Sequence, residues 1–195
     1  VNSFITRTYY HSCKKGTPAY VLRNAPFKSV IKKKGGDVKV IPFLGEGYYF
    51  YEEDFEAAKY WGATHYKDYS TIKILDANIS ELDLLDINDT KSIRDFDRLR
   101  DIYIKKIPKY KSWEINKWIE FFKKLAIKNK DESLFPYNYI RAIQYYKWKH
   151  AKNQFGVKEN FSQTTKAYYT ITKSLRILCV IDKHKINCKE KKVVV

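Results

Sequence analysis

At 195 residues the chain has the length of one domain, and its 44% hydrophobic and 16% aromatic content can bury a core, which excludes an intrinsically disordered chain. No run approaches the ~18–20 uncharged apolar residues that cross a bilayer, and Val1–Lys15 lacks the basic segment and apolar core of a secretory signal. The net charge of +16 is unevenly spread: +8 over residues 1–40, −6 over 41–100 and +14 over 101–195.

Such a field attracts nucleic acid, an acidic protein or a polyphosphate. Of the 38 basic residues 31 are lysine. Lysine enrichment accompanies AT-rich genomes, whereas specific phosphate recognition leans on arginine. Cys13, Cys179 and Cys188 form no CxxC pair, and with four histidines they make a poor zinc set. An odd cysteine count without a secretion signal fits a reducing compartment, so a cytoplasmic protein is expected.

In chain order, Ser3–His11 is rich in β-formers and reads as a strand ending at His11. Lys14–Pro18 is a loop, Ala19–Ile31 is a short strand or a helix, and Lys32–Asp37 is a basic turn. Val38–Phe43 and Gly47–Phe50 read as strands. Glu52–Tyr60 reads as a helix with an acidic start and Gly62 as its stop. Thr71–Asn78 is a strand and Leu82–Ile87 a connection.

Apolar residues at 93, 96, 99, 102, 103 and 107 predict a helix over Lys91–Ile107, closed by Pro108. Ser112–Asn129 is a second helix, with Ser112 as its cap, and Pro136–Lys149 a third. Strands return at Glu159–Gln163, Tyr168–Ile171 and Leu175–Ile181, and the lysine-rich tail from about 187 is frayed. Strands bracketing a helical middle predict a single α+β domain over 1–195, whose sheet joins distant segments around a helical insertion at about 90–150.

No GxSxG elbow, GxxxxGK[ST] loop, HExxH or Rossmann GxGxxG occurs. A lone histidine at a strand end, such as His11, is ordinarily a structural residue. Tyr48, Tyr49 and Tyr60 could equally be core aromatics in a chain with 17 tyrosines. The ordered set is more informative: His11-Ser12-Cys13 on a strand, then Gly47-Tyr48-Tyr49-Phe50, then a helix carrying Tyr60, then a late strand near Glu159.

This set resembles the ADP-ribosyltransferase superfamily, specifically the His–Tyr–Glu class of diphtheria toxin and the poly(ADP-ribose) polymerases, in a bacterial or phage-type form. In that class a first strand carries His followed by a small residue, usually Gly and here Ser12. The Gly-x-Tyr-Phe motif makes Tyr49 the class tyrosine. Polymerase-like members place a second nicotinamide-contacting tyrosine ten residues after the Phe, here Tyr60. Val157–Ser162 looks like the strand that starts with the class glutamate, here Glu159, with Gln163 as the alternative third residue. A competing match on Arg176–Asp182 puts Arg176 or Ile177 at the acid position and implies a weak or inactive transferase. The resemblance covers roughly 3–75 and 153–187.

The resemblance implies a split antiparallel sheet and NAD as co-substrate, with no metal. Tyr49 and Tyr60 would stack on the cationic nicotinamide ring. Glu159 would face the oxocarbenium-like ribose and orient the acceptor. His11 would hydrogen-bond a ribose hydroxyl of the adenosine half. Ser12 would offer its backbone to the nicotinamide amide, and Tyr48 would sit beside it. Charge and proximity add Lys14, Lys15 and Arg23 as diphosphate contacts. The implied acceptor is a macromolecule (DNA, RNA or protein), and the setting that of a toxin or antiphage effector with an acidic antitoxin as partner. A degenerate, basic nucleic-acid-binding module is the alternative.

Overall fold

The computed structural model describes residues 3–34, 37–147 and 172–195. Glu159, Gln163 and the strands expected at 159–163 and 168–171 lie outside them. The described chain is an α+β assembly on a seven-stranded sheet with the order β6-β7-β8-β4-β1-β5-β9. These are β1 (Phe4–Lys14), β4 (Tyr48–Glu52), β5 (Tyr69–Ser80), β6 (Leu84–Asp86), β7 (Tyr139–Lys147), β8 (Thr172–Val180) and β9 (Glu190–Val193). Every pairing is antiparallel except β6 with β7. A separate hairpin joins β2 (Lys32–Lys34) to β3 (Asp37–Val40), at the expected basic turn.

Helices follow local signals where these are strong. Helix α1 (Pro18–Asn24) resolves the ambiguous segment after β1, with Thr17 accepting from the Tyr20 N–H and proline in the first turn. Asp54 caps α2 (Phe55–His65) in the same way through the Ala57 N–H. Gly62 does not end α2 but lies inside it, where the Tyr69 ring packs 2.5 Å from the place a Cβ would take. Helix α3 (Thr90–Lys106) runs close to the expected span. Helix α4 (Ile115–Asn129) begins after Ser112, which belongs instead to a 3-10 turn over Pro108–Ser112.

Two further expectations are corrected. The helix expected at Pro136–Lys149 is not formed over its described residues, since Tyr139–Lys147 forms β7 between β6 and β8. Its period is two: Tyr139 enters one buried cluster, while Ile140 and Ala142 enter the other. The helical part of the insertion therefore ends before β7. Nor is the tail frayed, because Glu190–Val193 pairs with β5 and Lys191 Nζ donates to the Ala25 carbonyl at 2.9 Å.

The sheet carries a core on each face. Tyr51, Ile140, Ala142, Leu175, Ile177 and Cys179 join Phe96, Trp118 and Phe122 of α3 and α4 on one side. Tyr9, Phe50, Ile72, Ile74, Leu178 and Val180 face the other, with Val21 of α1. Phe96, Trp118 and Phe122 are almost wholly removed from water, so truncating any one of them to alanine costs about 3–5 kcal/mol.

Candidate functional site

β1 and β4 pair through Tyr9–Glu52 and Tyr10–Tyr51. Beyond Tyr10 the ladder stops, while β1 continues against β5 to Lys14. His11 bridges the opening: its Nδ1 lies 2.8 Å from the Tyr49 carbonyl, and its Nε2 accepts from the Phe27 N–H at 3.2 Å. Donation to a carbonyl requires a proton on Nδ1, and acceptance from an amide requires a lone pair on Nε2, so the neutral Nδ1–H tautomer satisfies both. Burial lowers the imidazole pKa to about 4, although the bond to Tyr49 opposes the shift. Neither ring nitrogen is left over for a ribose hydroxyl. In this geometry His11 is a latch between strands.

Tyr49 is occupied as well. Its hydroxyl accepts from the Leu44 N–H and donates to the Gly45 carbonyl, both at 2.7 Å, and burial drives its pKa up. Gly45 has φ of +80°, a conformation that favours glycine. From the other side the buried Glu120 carboxylate of α4 accepts from the Glu46 N–H at 2.7 Å and from Lys123 Nζ at 2.6 Å, while Lys123 also donates to the Glu46 carbonyl. The Gly45-Glu46-Gly47 turn is thus held by Tyr49 and by the Glu120–Lys123 pair. The only sequence trace of this clamp is an acid on the otherwise apolar face of α4.

The opening leads into a pocket of about 290 Å3, between the sheet, α2 and the segments at residues 27–29 and 42–43. Ser12, Tyr51, Trp61, Tyr66 and Ile177 form its walls, and Lys28 and Gln144 add polar groups. Ser12 Oγ donates to the Ala58 carbonyl at 2.6 Å, which ties β1 to α2. Tyr60 is 55% exposed and does not line the pocket. The next residue on α2, Trp61, does, stacked on His65 at 4.3 Å. One helical step is about 100°, enough to swap the two residues between inside and outside.

The other expected site residues are spread out. Tyr48 packs toward the opposite core, and Arg23 is exposed in the last turn of α1; neither lines the pocket. Lys14 and Lys15 are exposed as well. Among the described residues the lining contains no Asp or Glu, and Ile177 of β8 points into it. Among the described residues no group of three His, Cys, Asp or Glu could hold a metal ion, and no helix is long and apolar enough to cross a membrane.

A second polar cluster lies at the other end of β4. The Glu52 carboxylate is fully buried and within 3.5–3.9 Å of Arg7, Arg141 and Arg176, from β1, β7 and β8. Asp86 holds Arg141 through Nη2 at 2.7 Å. Opposite charges on five strands make this a cross-brace of the sheet.

No family model, curated protein or solved structure matches the chain.

Proposed function

We propose that the chain is an NAD-dependent ADP-ribosyltransferase with a split-sheet core of the His–Tyr–Glu type, and that the pocket takes the nicotinamide end of NAD. The observation that carries this reading is the parting of β1 and β4 at His11 and Tyr49, which opens a pocket of about 290 Å3 walled by Tyr51, Trp61 and Tyr66. That volume lies at the lower end of small-molecule clefts and suits one aromatic ring with its ribose. Aromatic faces favour a flat cationic ring.

In the reaction the C1–nicotinamide bond breaks and its electron pair neutralises the pyridinium ring. The acceptor forms a bond to C1 and gives its proton to a carboxylate. Glu159 is that carboxylate, with Gln163 as the alternative third residue; neither is among the described residues. The acceptor is a macromolecule, and the basic surface suits nucleic acid or an acidic antitoxin. A cytoplasmic setting, where NAD is available, fits this role. The test is transfer of label from NAD to a lysate, followed by nuclease or protease. Glu159→Ala is expected to abolish labelling with the thermal melt nearly unchanged; full labelling by that variant would sink the assignment.

Ile177 favours a second reading, a degenerate transferase fold that binds nucleic acid. β8 borders β4, and its side chain in the pocket is aliphatic. Salt-dependent nucleic-acid binding with no nicotinamide release from NAD would establish it.

A further inference from the structure

Beside the pocket mouth, exposed rings and cations follow one another along residues 20–43. Tyr20 of α1 is 56% exposed, and its ring lies nearly parallel to that of Phe27, at 24° and with centroids 6.3 Å apart. Phe27 and Phe43 are also exposed and form part of the pocket rim. Arg23 and Lys32 are exposed nearby in sequence, and Lys28 lines the pocket with its side chain 43% exposed and its Nζ 4.0 Å from Glu46 Oε2.

Large exposed rings lose hydrophobic stabilisation unless something covers them, and here the surrounding charge specifies what could. Flat faces next to flexible cations match a polymer with unpaired bases on an anionic backbone. Rings stack on bases without regard to sequence, and lysines meet phosphates as point charges. A duplex hides its base faces and uses only the charge.

We propose that the rim residues Phe27, Phe43 and Lys28, extended by Tyr20 and by the neighbouring Arg23 and Lys32, are a platform for single-stranded nucleic acid, which they deliver to the mouth of the pocket. The role of the strand as acceptor rests on the transferase reading above; binding of the strand does not.

Anisotropy of a labelled single-stranded oligonucleotide, across a range of salt, tests the platform. Single strands are expected to bind more tightly than the matching duplex. Tyr20→Ala is expected to weaken single-strand binding about tenfold, the loss of one base stack, with the salt slope intact. Lys32→Gln is expected to reduce that slope by about 0.7, one phosphate contact. Tyr20 and Lys32 do not line the pocket, so NAD binding by both variants is expected to match the parent. Wild-type oligonucleotide affinity in Tyr20→Ala overturns the platform. So does competition by duplex, polyglutamate or anionic lipid vesicles as strong as by single strands. Single-strand binding that depends on Tyr20, in a protein that binds no NAD, upholds the platform and overturns the transferase reading instead.

Discussion

The imidazole of His11 and the backbone carbonyl of Tyr49 are joined at 2.8 Å across the point where β1 and β4 part. The bond spans the strands where the sheet ladder no longer does. The ladder itself links β1 to β4 through the Tyr9–Glu52 and Tyr10–Tyr51 pairs.

The latch makes stability depend on pH. His11 titrates near 4 in the folded chain, against an ordinary value of 6.5. Its folded pKa lies below the unfolded one, so between those values the unfolded chain binds more protons. The stabilisation is therefore complete above pH ~6.5 and is lost as pH falls toward ~4. The full shift corresponds to about 3 kcal/mol. Urea melts across this window should show the decline, and His11→Gln should flatten it.

The Tyr49 hydroxyl is predicted to matter through the turn it holds. Tyr49→Phe leaves the Leu44 N–H and the Gly45 carbonyl without this partner, at about 1–3 kcal/mol. A lowered thermal midpoint would confirm the role. An unchanged midpoint would mean that the ring matters and the hydroxyl does not.

Gly47 faces β8 so closely that an added Cβ would collide with Cys179 Sγ and lie 2.8 Å from the Val180 carbonyl oxygen. Backbone cannot swing aside as a side chain can. Gly47→Ala is expected to destabilise the fold by about 2 kcal/mol or more, measured by urea unfolding.

Glu52→Ala removes the common partner of Arg7, Arg141 and Arg176. Three like charges, on β7 and β8 to one side of β4 and on β1 to the other, then face one another, with an expected cost of about 3 kcal/mol. Because the brace lies at the far end of β4 from the Gly45–Gly47 turn, ligand binding at temperatures below unfolding should be little affected.

For the pocket itself, the decisive pair is Tyr60→Ala against Trp61→Ala. Trp61 lines the pocket and Tyr60 does not, so calorimetric titration with NAD should show a loss of about tenfold or more for Trp61→Ala, on the scale of a stacked ring with its buried area. Tyr60→Ala should match the parent. The reverse result would place the ligand elsewhere.

The α+β class was legible because β-formers cluster at both ends of the chain and helical periodicity lies between them. His11, Ser12 and Tyr49 could be singled out from short motifs, and they do lie at one opening. What they do there was not legible. The occupied nitrogens of His11 depend on the Phe27 N–H, sixteen residues away, and the clamp on Glu46 comes from Glu120, seventy-four residues away. Trp61 was missed because the phase of α2 is set by its cap at Asp54, and counting residues from Phe50 ignores that start. Tyr139–Lys147 misled because aromatic-rich segments satisfy helical and strand spacing together. Two buried faces, visible only once β6 and β8 flank it, decide for strand.

β9 closes one margin of the sheet, pairing Ile72–Leu75 while Val194 and Val195 exchange backbone bonds with Thr71. Its short, charged run of Glu190, Lys191 and Lys192 is a poor template for a further strand. Proteolytic removal of these residues would bare the apolar β5 margin to neighbouring molecules. The damaged form would therefore reveal itself first as self-association, with loss of helix or of ligand binding coming only later.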